Sequence, residues 1–323
     1  MTSSGRLPPR DIALALAVVF LWGFNFVPIR WTLDEVPPLA LVALRFLLAA
    51  VPMVFFVRRP AAPAWLVIAY GLAIGVGQFG LLYLGIARGM PAGLASLVIQ
   101  AQVFLTIGLA AAFLGDRVRP QQFAGTVLAA LGIVLLAGAR VATGAASTLE
   151  GFALCIAAAL SWAVGNVLVK RMARNAKGEP PDMFALVVWS SLAAPLPLAA
   201  LSYLTEGGLA PLHAIAVMSL RAWACVLFMS FGATLFGFAV WNRLLHKHPT
   251  ASIAPFALLV PLAGVLSAWL LLGETLSWLQ AVAGALVLAG LALNVISLPA
   301  SRAVAPRGAG SQGRGDAETE KDS

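Results

Sequence analysis

Long apolar stretches alternate with short polar connections along almost the whole chain. A helix of about 20 apolar residues crosses the hydrocarbon layer of a bilayer. In lipid, backbone N–H and C=O groups must form hydrogen bonds within the chain, which only helices and closed β-barrels allow. The sequence lacks the alternating short strands of a barrel, so the apolar stretches are predicted to be helices. The pattern predicts an all-α polytopic membrane protein with ten transmembrane helices. The predicted spans are 12–33, 38–57, 65–87, 91–114, 123–139, 151–169, 183–204, 223–245, 250–272 and 278–298.

Part of this pattern occurs twice. Residues 90–138 form an apolar run, a turn with one acid and a second apolar run, and residues 249–295 repeat that plan at an offset of 158. The matched pairs are Pro91 with Pro249, Gly115 with Gly273, Asp116 with Glu274, Gln122 with Gln280, and Gly132 with Gly290. At an offset of 140, Trp22 matches Trp162 and Arg30 matches Lys170. The expected parts of the chain are a leader at 1–10, five-helix repeats at 11–140 and 151–298, and a tail at 299–323.

Five spans per repeat is an odd number, so the second repeat begins on the opposite side of the membrane from the first. The two repeats are then related by a pseudo-two-fold axis in the membrane plane, as in many secondary transporters. Substrate sites of such transporters lie near the midplane, between the repeats. We therefore expect two inverted five-helix repeats with a site between them.

Composition and charge agree with this fold. Only 11% of the residues are charged and 61% are hydrophobic, whereas about 25% charged residues are typical of soluble proteins. Of the 21 Lys and Arg, sixteen lie on the predicted side of the N-terminus, four lie opposite, and Arg45 lies within a span. The positive-inside rule then predicts a multi-pass inner (plasma) membrane protein with both termini in the cytoplasm. It also explains the net charge of +8 without nucleic acid as a partner. The Gly-rich tail is expected to be disordered.

Signals of an enzyme or of an ATP-driven pump are missing. Residues 75–80 match the nucleotide pattern GxGxxG, but they lie inside an apolar helix and follow no strand. The two Cys lie in apolar runs and the three His lack the spacing of a metal site. No Asp or Glu lies in the middle of a span, which argues against a buried carboxylate as cation site or proton carrier. We expect no catalytic residues, metal or cofactor. The expected partners are the lipid bilayer and a small-molecule substrate, and coupling to a proton or ion gradient stays open.

Polar side chains inside the spans are the candidates for a substrate site, because they are costly in lipid. Trp22 and Asn25 share a face of the first span, and Trp162 and Asn166 share a face of the sixth, so an indole beside an amide recurs in both repeats. The other candidates are Gln78, Gln100, Gln102, Trp241 and Asn242. Packing or hydrogen bonding between helices would explain any one of them. Together they favour a wet cavity.

Arg45 is the only ionised residue well inside a span. Its guanidinium suits a bidentate pair with a substrate carboxylate. Alternatively, it could extend towards the headgroups at the near end of the second span, or cap a neighbouring helix. The sequence leaves these alternatives open.

Several motifs resemble the EamA family of the drug/metabolite transporter superfamily. In the first repeat they are WGFNF at 22–26, ALRF at 43–46, MPAGLASLVIQAQ at 90–102 and GDR at 115–117. In the second repeat they are SWA at 161–163, GN at 165–166, APFALLVP at 254–261 and GE at 273–274. The block at 90–102 is similar to the O-acetylserine/cysteine exporter branch. The acidic turns depart mildly from the usual Gly-Glu-Arg.

This resemblance covers the chain apart from its tail. It implies ten helices, inverted repeats and secondary export of small metabolites, often amino acids. We therefore expect a transporter that exports small amino-acid-like metabolites of the cysteine/O-acetylserine type, by alternating access through a midplane cavity. One alternative is an exporter of drugs, lipids or other metabolites. The other is a membrane scaffold without transport, which would show no stabilisation by ligands.

Overall fold

The computed structural model describes residues 7–142, 146–176 and 182–295. The predicted tail and residues 1–6 of the predicted leader lie outside this part of the chain. Ten long helices run through the described ranges. They are α1 (Pro9–Thr32), α2 (Pro38–Val54), α3 (Ala64–Ala87), α4 (Ala92–Leu114), α5 (Pro120–Ala142), α6 (Ala146–Asn175), α7 (Met183–Thr205), α8 (Leu220–Lys247), α9 (Ala254–Leu272) and α10 (Trp278–Val295). One turn, Thr250–Ile253, precedes α9, and a short helix, Ala210–Ala216, joins α7 to α8.

The helices confirm an all-α polytopic membrane fold. Among the described residues, nine helices are long and apolar enough to cross a membrane, and α2, with 17 residues, is shorter. The number of spans, ten, stays a prediction. The first helix begins at Pro9, before the predicted 12–33. Proline suits this position because the first helical N–H groups have no partner within the helix.

The two halves, α1–α5 and α6–α10, pack against each other reciprocally. α4 packs against α6, and its counterpart α9 packs against α1. In the same way α3 packs against α6, and α8 packs against α1. The remaining counterparts meet each other directly, α2 with α7 and α5 with α10. This exchange of partners is what a two-fold relation between two repeats produces.

Small residues let these helices approach closely. A Cβ built on Gly290 of α10 would lie 2.4 Å from the carbonyl oxygen of Gly125 in α5. Between α3 and α6, a Cβ on Gly151 would lie 2.7 Å from the carbonyl oxygen of Gly85. Membrane helices associate through such close packing, since lipid gives them no hydrophobic driving force.

Several helices are irregular near the centre of the bundle. α1 bends at Asn25, because Pro28 has no N–H to bond the carbonyl of Phe24. α4 is interrupted at residues 99–100, and α9 begins with a 3₁₀ segment, Ala254–Leu258. At the repeat offset of 158, Gln100 corresponds to Leu258, so α4 and α9 deviate at matching places.

Counterpart helices α3 and α8 each contain a π-helical segment, Leu72–Gly80 and Phe228–Phe236. Each segment begins eight residues after the start of its helix, so the widened backbone is a feature of both repeats. Segments of this kind often occur at functional sites. At membrane depth, irregular backbone is tolerated only where protein buries it or where it lines a cavity. The irregular segments therefore point to the centre of the bundle.

Candidate functional site

A cavity of about 480 Å³ lies between the two halves, at the irregular segments. Apolar and aromatic side chains form most of its wall, with a few polar groups, as in sites for small molecules. All ten residues predicted from the sequence line it. They are Trp22, Asn25, Arg45, Gln78, Gln100, Gln102, Trp162, Asn166, Trp241 and Asn242. The fold thus brings the candidate residues together, and their contact with a substrate stays a prediction.

The cavity extends towards the end of the bundle where α1 begins. The end of α8 lies there, since Lys247 pairs with Asp11 at 2.6 Å. Met183, the first residue of α7, and Leu245, near the end of α8, both line the cavity. At the opposite end, none of the described residues within four positions of a helix end lines it. The cavity therefore reaches only one end of the bundle, which we call the N-terminal end.

At the opposite end, a carboxylate joins α9 to α4. Glu274, just after α9, accepts hydrogen bonds from the backbone N–H groups of Ala92 and Gly93, at 2.7 and 2.8 Å. These N–H groups at a helix start have no partner within the helix, and the helix dipole favours an anion there. α4 and α9 also pack together along residues 92–98. This contact closes the cavity on that side.

Two further carboxylates cap helices at the same end. Glu206, after α7, accepts from the N–H groups of Leu39 and Ala40 in α2, at 2.8 and 3.2 Å. Glu35, after α1, accepts from both the backbone N–H and the hydroxyl of Ser219 at the start of α8, each at 2.7 Å. Those hydrogen bonds to Ser219 lower the pKa of Glu35. The opposite end is thus closed by carboxylates that reach from one helix to the next.

At the N-terminal end the acids pair with basic side chains. Asp116 follows α4 and lies 2.9 Å from Nζ of Lys170 and 2.5 Å from a guanidinium nitrogen of Arg174, both on α6. The hydrogen bond from Lys170 and the nearby charge of Arg174 lower the pKa of this carboxyl. Asp11 pairs with His248, at 2.7 Å, as well as with Lys247.

An aromatic wall joins the two halves on one side of the cavity. The indole N–H of Trp22 donates to the carbonyl oxygen of Ala233, at 2.8 Å, in the π-helical segment of α8. The ring of Trp22 lies 5.3 Å from that of Phe238 and 5.2 Å from that of Trp241. Trp22 therefore offers a ligand its ring rather than its N–H.

The amide of Asn166 belongs to a small polar cluster. Its Nδ2 donates to Oε1 of Gln102, at 2.8 Å, and to the hydroxyl of Thr106, at 3.0 Å. This cluster joins α4 to α6, so the two predicted residues have a packing role besides lining the cavity. At the mouth, Asn242 donates to Asp182, at 3.3 Å.

Three amide side chains remain without partners among the described residues. Gln78 and Gln100 are 4% and 7% exposed, yet neither side chain makes a hydrogen bond within this part of the chain. Oδ1 of Asn25, at the bend of α1, is buried and also has no partner there. Buried polar groups normally have a partner. The amides of Gln78 and Gln100 are therefore available to a ligand or to water in the cavity.

Arg45 points into the bundle, near the middle of α2. Its side chain is buried, and its guanidinium donates to the hydroxyls of Tyr83, at 2.7 Å, and Thr234, at 3.0 Å. The guanidinium carbon lies 4.2 Å from the centre of the Phe79 ring. The alternative that Arg45 extends towards the headgroups is therefore wrong, because the protein surrounds the side chain.

Phe79 and Tyr83 are absent from the set predicted from the sequence. Aromatic residues in a membrane span usually serve packing, so neither one stands out. Their spacing in α3 was the available signal: Phe79 and Tyr83 are four residues apart and their rings lie 6.2 Å from each other. Phe79 lines the cavity, and Tyr83 lies behind the wall, where its hydroxyl accepts a hydrogen bond from Arg45.

Comparisons with known proteins agree with this architecture. The EamA-like transporter family matches the chain twice, at residues 10–138 and 149–296. A protein of Salmonella typhimurium named probable amino-acid metabolite efflux pump is 42% identical over 293 residues, which cover 91% of this chain and 97% of that protein. Its namesake in Escherichia coli is 41% identical over 295 residues, covering 91% and 98%.

A probable terminal-alkyne amino-acid exporter of Streptantibioticus cattleyicolor is 30% identical over 286 residues, covering 87% of this chain and 91% of that protein. A solved crystal structure with 22% identity covers 88% of this chain and 96% of its own, with a TM-score of 0.56, and shares the fold. Since the family matches both halves and these relatives extend over nearly the whole chain, the protein belongs to the EamA-like transporter family.

Proposed function

We propose that this protein is an inner-membrane secondary transporter that exports small amino-acid-like metabolites of the cysteine/O-acetylserine type. It does so by alternating access through the cavity between its halves. The relatives named amino-acid metabolite efflux pumps, at 41% and 42% identity, support export of a small metabolite. The block at 90–102, which resembles the O-acetylserine/cysteine branch, supports the narrower substrate class.

The observation that carries this proposal is the set of unpartnered amides in a cavity that reaches one end only. Each amide offers both a donor and an acceptor. The ammonium and carboxylate of an amino acid need both, and the free amides of Gln78 and Gln100 meet this need. The volume of about 480 Å³ lies within the range of about 300–1,000 Å³ for small-molecule sites. Substrate then binds between the repeats, as in other transporters with inverted repeats.

The charge bias supports the orientation of the cavity in the membrane. Sixteen of the 21 Lys and Arg lie on the predicted side of the N-terminus, which supports a cytoplasmic location of that side. The cavity reaches the N-terminal end, so this conformation receives substrate from the cytoplasm. Reciprocal packing of the halves supports a second conformation, in which the cavity reaches the outside.

The aromatic wall favours a second candidate, an exporter of apolar drugs or lipids. The rings of Trp22, Phe238 and Trp241 meet on one side of the cavity and would suit an apolar compound. Such a cargo would have no use for the free amides of Gln78 and Gln100. The same efflux experiment separates the two candidates.

The test is efflux of labelled cysteine, O-acetylserine and a wider amino-acid panel from cells with and without the protein. Gln100→Leu removes one neutral hydrogen-bonding group from the cavity and should slow efflux by roughly 2- to 10-fold. Gln122→Leu, the same change at a site outside the cavity lining, should leave efflux near the wild-type rate. If no amino acid leaves faster when the protein is inserted, the amino-acid proposal fails and apolar cargo is tested next.

A further inference from the structure

Arg45 holds a positive charge in the middle of the bundle without an acidic partner. Among the described residues, no carboxylate forms an ion pair with it. Its two hydrogen bonds go to hydroxyl groups, on Tyr83 and Thr234, and its Nε is buried without a partner in the described part of the chain. Buried charges in proteins are normally paired, because an uncompensated charge in a low dielectric is costly.

The guanidinium is held in a fixed orientation. It lies over the ring of Phe79, at 4.2 Å, and the Tyr83 hydroxyl in turn donates to the sulfur of Met229, at 3.2 Å. Thr234 belongs to the π-helical segment of α8, so Arg45 connects α2 of one half with α8 of the other. An arginine held in this way is preorganised, and it loses little entropy when it binds an anion.

Arg45 also belongs to the cavity wall, together with Gln78 and Phe79. A ligand in the cavity can therefore reach Arg45, the only ionised side chain among the described residues that line it. A carboxylate is a stronger acceptor for a guanidinium than a hydroxyl, since the hydrogen bond is then charge-assisted on both sides. The guanidinium has five N–H groups and donates to two hydroxyls, so it retains N–H groups for a carboxylate that would compensate the charge.

We propose that Arg45 forms the carboxylate subsite of the cavity, and that the transported compounds carry a free carboxylate. This inference rests on the proposed function and narrows it. The substrate is oriented with its carboxylate towards α2 and α8, and its remaining polar groups face the free amides of Gln78 and Gln100. Esters and amides of the same compounds are poor substrates.

The test compares L-cysteine with L-cysteinamide, in which a neutral amide replaces the carboxylate, as competitors of labelled cysteine uptake in proteoliposomes. With the wild-type protein, cysteinamide should compete roughly 10- to 100-fold less well, the range expected for a hydrogen-bonded charge. Arg45→Gln should bring the two competitors to within about 3-fold, and Arg45→Lys, which keeps the charge but not the planar fork, should give an intermediate ratio. The wild-type comparison stands even if a variant does not fold.

Equal competition by cysteine and cysteinamide in the wild type would overturn the subsite and leave amino-acid export intact. If no amino acid is transported, the proposed function fails, and the subsite is tested by stabilisation of the purified protein with acetate and with acetamide. Stabilisation by acetate that is lost in Arg45→Gln would support a carboxylate site for another cargo. Equal effects of acetate and acetamide would overturn it.

Discussion

Gly115-Asp116 and Gly273-Glu274 occupy matching places in the two halves, and both glycines end their helices in the left-handed conformation, with φ of 69° and 67°. The local backbone is therefore the same. Their carboxylates nevertheless contact different elements. Glu274 caps the N–H groups at the start of α4, whereas Asp116 pairs with basic side chains at the end of α6.

This difference shows that the two halves have one plan but two conformations. At the end where the acid caps a helix, α4 and α9 are in contact and the cavity is closed. At the end where the acid pairs with α6, the cavity is open. When inverted repeats alternate, each half takes up the conformation of the other. In the proposed outward-open state, we expect Glu274 to release α4 and Asp116 to approach the start of residues 250–272, the counterpart of 92–114.

The largest effect is expected from Glu274→Gln. This change removes the charge that holds two backbone N–H groups, and hydrogen bonds to charged groups are the stronger ones. The closed end should open about 10-fold more often. The reporter is Val103→Cys, in the cavity wall of a protein in which Cys155 and Cys225 are replaced by Ala. Labelling by a membrane-impermeant maleimide, added outside intact cells, should rise about 10-fold.

The matched control for this change is Glu150→Gln, at the same end of the bundle. Glu150 forms an exposed ion pair with Arg88, and such pairs contribute little. Labelling should stay near the wild-type rate. Equal labelling of the Glu274 and Glu150 variants would contradict the role of the cap in closing the cavity.

A smaller effect is expected at the N-terminal end. The double change Lys170→Gln and Arg174→Gln removes the exposed ion pairs that Asp116 makes in the present, inward-open state. It does not touch the cap that we expect Asp116 to form in the outward-open state. Labelling of Val103→Cys from outside should rise by no more than about 5-fold. Asp116→Asn weakens the present state and also the expected cap in the other state, so labelling should rise less. An equal rise in both variants would mean that Asp116 has no partner in the second state.

The smallest effect is expected from pH. Lys170 and Arg174 hold the pKa of Asp116 below its ordinary value of 3.8. A carboxyl group whose pKa is lowered by its partners stabilises the state in which it is paired. This stabilisation is fully present at a pH above the ordinary pKa of the group, and it is lost as the pH falls through the lowered pKa. Between about pH 5 and 8, the ratio of labelling in wild type to labelling in Asp116→Asn should therefore stay constant. A change of this ratio within that window would mean that the ion pair titrates near neutrality.

The polarity pattern alone predicted much of the fold, because lipid requires long apolar helices and tolerates few exceptions. The same constraint identified the cavity wall: Gln78 and Gln100 are costly in an apolar helix unless they face a polar space. The recurrence of residues at fixed offsets, Trp22 with Trp162 and Asp116 with Glu274, indicated two repeats.

The contacts between distant segments could not be predicted in this way. Nothing in the residues near Arg45 shows that Thr234 lies beside it, since that contact depends on how α2 packs against α8. The π-helical segments were missed because their composition is that of an ordinary apolar helix. Asp116 and Glu274 occur in the same sequence pattern, and their different contacts arise because the two halves have different conformations.

The most direct test of the account is maleimide labelling of Val103→Cys from each side of the membrane while labelled O-acetylserine is being exported. Alternating access predicts that the thiol reacts from both sides, faster from the cytoplasm, and that reaction from either side stops efflux. Excess unlabelled O-acetylserine, which has no thiol to consume the maleimide, should protect the introduced thiol, because both occupy the same cavity. A thiol that reacts from the cytoplasm alone during active export would contradict the cavity as the route of transport.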